Sequence, residues 1–197
     1  VPPAAYVSNA YVRKFKNGTP FLITAGKRAI ITDPEVVGLE YELSNDDRDY
    51  LEPVGHNLIV KRRGFGITVF SNNTAYQRVK SALNNAHVRD NLSTIERDIE
   101  QILINFLFDF NDEITRLRVK SILENYMDSV VNARGLSGYT VQFDSDNNPN
   151  EVIEANTAIV DISVDFPRGI HKFINRITIT RVGGGLSSDS TGFTPSF

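Results

Sequence analysis

The feature that most restricts this chain is a change in the spacing of apolar residues along its second half. Between Ala86 and Phe106, Val88, Leu92, Ile95, Ile99, Ile102 and Phe106 recur every three or four positions, with charges between them. That spacing places them on one face of an α-helix turning every 3.6 residues. Asn111, Asp112 and Glu113 supply a polar, acidic start for a second helix with the stripe Val119, Ile122, Leu123, Tyr126, Met127 and Val130. Gly135 is expected to stop it. The link Phe108-Asp109-Phe110 is so short that the two helices must be close neighbours. Beyond Gly138 the period drops to two. Tyr139, Val141 and Phe143 alternate with polar residues, and apolar runs follow from Ala158 to Val164 and from Phe173 to Ile179, reading as three strands.

The first half reads less sharply. Pro2 and Pro3 suit the first turn of a helix running to about Phe15, and Asn17-Gly18 ends it. Ser44-Asn45-Asp46-Asp47 looks like a capped helix start, stopped by Pro53 and Gly55. Residues 57–61 and 65–70 are strand-like runs around Arg62-Arg63-Gly64, which predicts a hairpin. Because helices and strands are segregated in blocks, the class is α+β. The expected architecture is a mostly antiparallel sheet with two long amphipathic helices packed on one face, plus an extended C-terminal arm. Residues 1–77 form a helix and hairpin segment that packs with a core domain, 78–182, as one globular unit. The Gly-, Ser- and Thr-rich residues 183–197 form the arm.

With 197 residues, 41% of them apolar and 23% charged, the chain can bury a real core without staples. It contains no Cys, which excludes disulfides, thiolate nucleophiles and cysteine-held metals. A net charge of -3 argues against nonspecific nucleic-acid binding, which rests on a basic face. The longest apolar run falls far short of the roughly 18 residues of a membrane span, and the start, Val1-Pro2-Pro3, is no signal peptide. A water-soluble chain is expected, and the missing initiator Met reads as processing or as a piece of something longer.

Catalytic motifs are weak. His56, His87 and His171 sit in different elements with no second ligand at metal spacing. Asp144, Asp146 and Asn148 imitate a calcium loop, but Pro149 stands at the sixth position, where Gly must turn, and Ala155 at the twelfth, where Glu belongs. Gly64-Phe65-Gly66 lacks a third Gly and leads into a strand, so it reads as hairpin punctuation. No Gly-x-Ser-x-Gly elbow is present. Carboxylate pairs such as Asp109 with Asp112, or Glu96 with Glu100, are ordinary for solvated helix faces. Lys61-Arg62-Arg63 reads as a solvated turn. No catalytic, cofactor-binding or metal-ligating residue is assigned, and no cofactor is expected.

Four blocks, in order, resemble the sheath protein of contractile bacteriophage tails. They are Val1-Pro2-Pro3-Ala4-Ala5-Tyr6-Val7; the run from Val37 to Ser71, with Leu51, Pro53, Gly55 and Asn57 in it; Val88-Arg89 through Phe108-Asp109-Phe110-Asn111-Asp112 and on to Gly135-Leu136-Ser137-Gly138-Tyr139; and Phe143-Asp144, Asn147-Asn148, the run Ile159 to Val164, Phe166-Pro167 and His171-Lys172-Phe173-Ile174. Their collinearity over residues 1–182 is more specific than any one block. Ser71-Asn72-Asn73 departs from the Trp-Gly-Ala-Arg-Thr stretch of many sheaths.

The resemblance implies a structural protein with no active site, found in the virion tail and made in the host cytoplasm. Such subunits stack as hexameric rings on a tail tube above a baseplate, and shorten to drive the tube through the host envelope. It also implies a C-terminal arm lent to a neighbour's sheet, with Gly183, Leu186, Phe193 and Phe197 as its candidate residues. Arg89, Arg97, Arg116 and Lys120 are candidate docking-face charges for tube or neighbour. Nucleic acid and membrane insertion are not expected. Lacking the family's N-terminal arm and outer domains, this chain is expected to be a monomer. The runner-up readings are the sheath of an R-type bacteriocin or type VI secretion system and, behind these, a small ligand-binding or hydrolytic domain.

Overall fold

Small residues and a buried cation decide how the N-terminal helix sits. The computed structural model describes residues 2–17 and 20–171; the expected third strand, from Phe173, and the arm residues Gly183, Leu186, Phe193 and Phe197 lie outside them. Helix α1, Ala4–Lys16, brings Ala10 against Ala29 and Val69, small side chains that let backbones approach closely. Arg13 then hydrogen-bonds the Ile30 carbonyl and, at 3.1 Å, the Thr32 hydroxyl. Lys14, its side chain only 5% exposed, is ion-paired with Asp90. Helix α2, Asn45–Leu51, begins with a capping box in which the Ser44 hydroxyl accepts from the Asp47 amide and the Asp47 carboxylate accepts from the Ser44 amide.

The hairpin is where the sequence places it. Strands β1, Ile59–Arg62, and β2, Gly66–Val69, pair antiparallel from Ile59 with Val69 to Arg62 with Gly66. Gly64 at the turn has φ 98°, a left-handed conformation that a Cβ would strain. Residues 29–31 run beside β2, the Ile31 amide donating to Ile67 and the Val69 amide to Ala29.

Helix α3, Ala86–Leu103, is followed by one tight turn, Ile104–Phe106, and then by α4, Glu113–Asn132, whose cap is Asp112 accepting from the Thr115 amide at 2.7 Å. Buried Ile95 meets Met127, Val130 and Leu136, while Val119 and Leu123 meet Val141 and Phe143. Ile122, expected on the buried stripe, is 37% exposed. The Tyr126 hydroxyl crosses from α4 to the Asp98 carboxylate on α3 at 2.8 Å; burial and that partner hold the phenol well above its usual range.

Gly135 ends α4 for a different reason from the one its residue type suggests. The left-handed residue is Arg134, φ 62°, whose amide donates to Val131 while the Gly135 amide reaches back to Val130, the paired bonds of a Schellman end. Gly135 is needed because a Cβ there would meet Phe21 and Val130 at 2.7 Å.

Strands β3, Gly138–Gln142, and β4, Asp161–Asp165, pair antiparallel with Tyr139 opposite Val164 and Val141 opposite Ile162, turning these side chains toward α3 and α4. Among the described residues the strands form two separate two-stranded sheets rather than one continuous sheet. The class is α+β, with the long helices on the β3–β4 face. Residues 158–160, expected in the strand, lie ahead of β4, where Ile159 bonds the Asn147 and Asn148 side chains instead of a neighbouring strand. Helix α5, Asn150–Glu154, lies ahead of the expected Ala158–Val164 strand, in a stretch where the sequence suggests no helix.

Candidate functional site

Segments distant in sequence meet around a cleft of about 480 Å³, lined among others by Phe21, Arg28, Glu52, His87, Arg168 and His171. Two of the three histidines thus share one wall, although no spacing in the sequence pairs them. His171 Nδ1 lies 3.8 Å from Glu52 Oε1. His87, on the first turn of α3 and 4% exposed, has both ring nitrogens engaged. Asn72 donates its amide to Nδ1 at 2.6 Å, and Nε2 donates to the Pro167 carbonyl at 3.2 Å. The backbone amide of His87 in turn donates to Asn72 Oδ1. This pattern fixes the neutral tautomer with its proton on Nε2.

Burial above all, opposed by the bond to the Pro167 carbonyl and assisted by His171 and Lys14, pushes the His87 imidazole below its ordinary value of 6.5. Protonation at Nδ1 would face the Asn72 amide donor with a second donor. The unfolded chain therefore takes up this proton at higher pH than the folded one. Stability is complete above pH 6.5 and declines as pH falls below it, by at most about 1.4 kcal/mol per pH unit for one group. Urea titrations at pH 7.5 and 5.5 should show this drop, and His87→Gln should flatten it. The capping carboxylates, Asp47 held low by the Ser44 hydroxyl and then the Ser44 amide, and Asp112 by the Thr115 amide, act only in a separate window below the ordinary carboxylate range. With both nitrogens occupied, His87 is a structural bridge between α3 and the 166–171 segment. Among the described residues no group of three or more His, Asp or Glu is arranged to hold a metal, and no helix is long and apolar enough to cross a membrane.

The four predicted docking charges separate into two kinds. Arg89 and Arg97 are exposed on α3, Arg97 with Asp98 at 3.9 Å beside it. Arg116 is half-buried and folded onto Asn111, bonding its side-chain oxygen at 2.8 Å, while Asn111 donates to the Thr157 carbonyl. Lys120 is also half-buried. The structure does not gather the four on one exposed face. The surface that charge-based reasoning missed is apolar: Ile104, Leu107, Phe108, Phe110, Ile114 and Leu117 all stand exposed at the α3–α4 junction. The signal was present in Phe108 and Phe110, which fall off the buried stripes.

No family model matches the chain. The tail sheath protein of Vibrio phage KVP40 is 31% identical over 151 residues, 77% of this chain. Among solved structures, a chain in the anti-feeding prophage baseplate superposes with a TM-score of 0.82 at 20% identity, covering 91% of this chain and 51% of that one. A chain in the contracted PVC sheath complex of an extracellular contractile injection system gives 0.79 at 22% identity, covering 90% and 51%. The chain spans 22% of the length of the phage relative. The solved structures share its fold, and by sequence this chain belongs with the tail sheath proteins, as a homologue of part of one.

Proposed function

We propose that this chain serves in a contractile sheath that polymerises around a rigid tube and shortens to push the tube through a host envelope. The observation that carries this is the 31% identity to a phage tail sheath protein over most of the chain. On this reading it is a non-enzymatic part of a virion tail, assembled in the host cytoplasm. Its partners are other sheath subunits in hexameric rings, a tube protein and a baseplate. Residues 1–77 and 78–182 act as one body, and residues 183–197 are lent to a neighbouring sheet. A few backbone hydrogen bonds at about 0.5 to 1.5 kcal/mol each tether such an arm while the bodies repack. The work comes from subunit contacts formed on shortening, so no nucleotide or metal is required.

The second reading, the sheath of a phage-derived injection machine, is favoured by the fold neighbours, which come from such machines. Electron microscopy of a subunit carrying this region together with the family's N-terminal arm separates both from the enzyme reading. Tubular polymers are expected, and subunits that stay dispersed at every concentration count against a sheath. The 197-residue chain by itself, at micromolar concentration, is expected to elute as a monomer in light-scattering chromatography.

A further inference from the structure

Two surfaces at opposite ends of α3 are complementary in both hydrophobicity and charge. At the C-terminal end stands a knob. Phe108 is fully exposed and sits at φ 73°, an uncommon conformation for a bulky side chain, and Phe110 is 85% exposed beside it. Each offers on the order of 150 to 250 Å² of apolar surface. The tip carries Asp109, Asp112 and Glu113, while Arg116 and Arg118 are turned back to its base, Arg116 onto Asn111 and Arg118 over the Phe106 ring. The knob is held in shape by the Asn111 bond to Thr157 and by backbone bonds from Asp109 to Phe106 and Asp112 to Phe110.

At the N-terminal end stands a loop built inside out. Its base is closed by the Thr74 amide donating to the Asn84 carbonyl at 2.8 Å and by pairing of Asn73 with Asn85. Its interior is polar: Gln77 donates to the carbonyls of Thr74 and Asn84, and Asn84 donates back to Gln77. Tyr76 and Val79 are therefore turned outward, with Arg78 and Lys80 exposed around them. No acidic residue lies between Thr74 and His87. Helix α3 has 18 residues, roughly 27 Å at about 1.5 Å each, and separates the two surfaces.

We propose that the knob of one copy docks on the 75–83 loop of the next, a head-to-tail contact between copies of this chain. It rests on the sheath reading, which requires copies to contact one another, and adds which faces meet. An acidic apolar tip fits a basic apolar loop, and both are internally braced, so little ordering is lost on contact. Because the two faces differ and lie at opposite ends, the contact is heterologous and open, the kind that builds rings or helices rather than closed pairs. A single contact of this size is weak, on the order of 0.1 to 1 mM at low salt, and becomes effective only when repeated through an assembly. That is compatible with a monomer at micromolar concentration.

The test is sedimentation of the 197-residue chain from about 10 µM to 1 mM, at low and at physiological salt. Growth beyond two copies is expected, weakening with salt. Reversing the knob with D109K/E113K, or the loop with R78E/K80E, should each lower the association at least about tenfold. Neither pair touches the Asp112 cap or the Gln77–Asn84 bracing, so circular dichroism should not change, and D109K/E113K should lower the melting temperature only by the few degrees that a lysine costs the first turn of α4. Carrying both reversals in one chain should restore association, and Phe108→Ser with Phe110→Ser should abolish it. A chain monomeric at 1 mM, association indifferent to the reversals, or growth that stops at a dimer overturns the proposal. If the longer subunit forms tubes whether or not these charges are reversed, the sheath reading stands and this contact falls. If the contact behaves as described while that subunit never forms tubes, the reverse holds.

Discussion

Leu123→Ala is expected to lower the stability of the folded chain by about 3 to 5 kcal/mol, the upper part of the range for emptying a core position. Leu123 is 0% exposed and lies where α4 meets the β3–β4 hairpin, against Val119, Val141 and Phe143. The surrounding positions are set by a long helix and a paired strand, so the walls cannot collapse into the space left by the lost side chain. At about 2 to 4 °C per kcal/mol for a chain of this size, the melting temperature should fall by roughly 6 to 20 °C. Leu117→Ala, six residues earlier and exposed, should change stability by less than about 0.5 kcal/mol. Thermal melts of the two variants side by side give the answer. A small effect at position 123 would mean that α4 does not pack against the hairpin as described.

Asn148→Ala is expected to cost about 2 to 4 kcal/mol, although it removes no apolar contact. The Asn148 side chain, 2% exposed, accepts from the Ile159 amide at 2.7 Å and donates to the Ile159 carbonyl at 2.9 Å and the Asp144 carbonyl at 3.2 Å. It does for residues 158–160 what a neighbouring strand would otherwise do. Without it the Ile159 amide is left unpaired in a half-closed site, and an unmet buried group costs about 1 to 3 kcal/mol by itself. The Ile159 carbonyl keeps its bond from Asn147, which limits the loss. Hydrogen exchange offers the sharper readout: the Ile159 amide should exchange at least tenfold faster in the variant. Unchanged protection there would show that another group serves the same amide.

The elements that the sequence announces are those whose burial is periodic. Helices α3 and α4 and the β3–β4 alternation follow because one face of each meets a shared core, and the β1–β2 hairpin follows because Gly64 must be left-handed. What periodicity cannot carry is long-range. The His87–Asn72–Pro167 bridge joins residues 15 and 80 positions apart, and the approach of His171 to Glu52 depends on the whole fold. Asn148 reads as a turn residue, and nothing local marks it as the partner of Ile159. The short helix α5 spans five residues, too few for a stripe. Residue type singles out the charged candidates but does not reveal that Arg116 is committed to Asn111. Phe108 and Phe110 do carry a legible signal, two aromatic residues interrupting a link that needs only to be short.

The base of the 75–83 loop is closed by backbone bonds at Thr74 and Asn84 that do not depend on what the loop displays. A segment closed in this way behaves as a cassette. Its tip can be lengthened, shortened or rewritten while α3 still begins at the same place, because the closure and not the tip fixes that start. Related lineages could diverge in which copies they accept by editing a handful of surface letters, leaving the machinery beneath untouched.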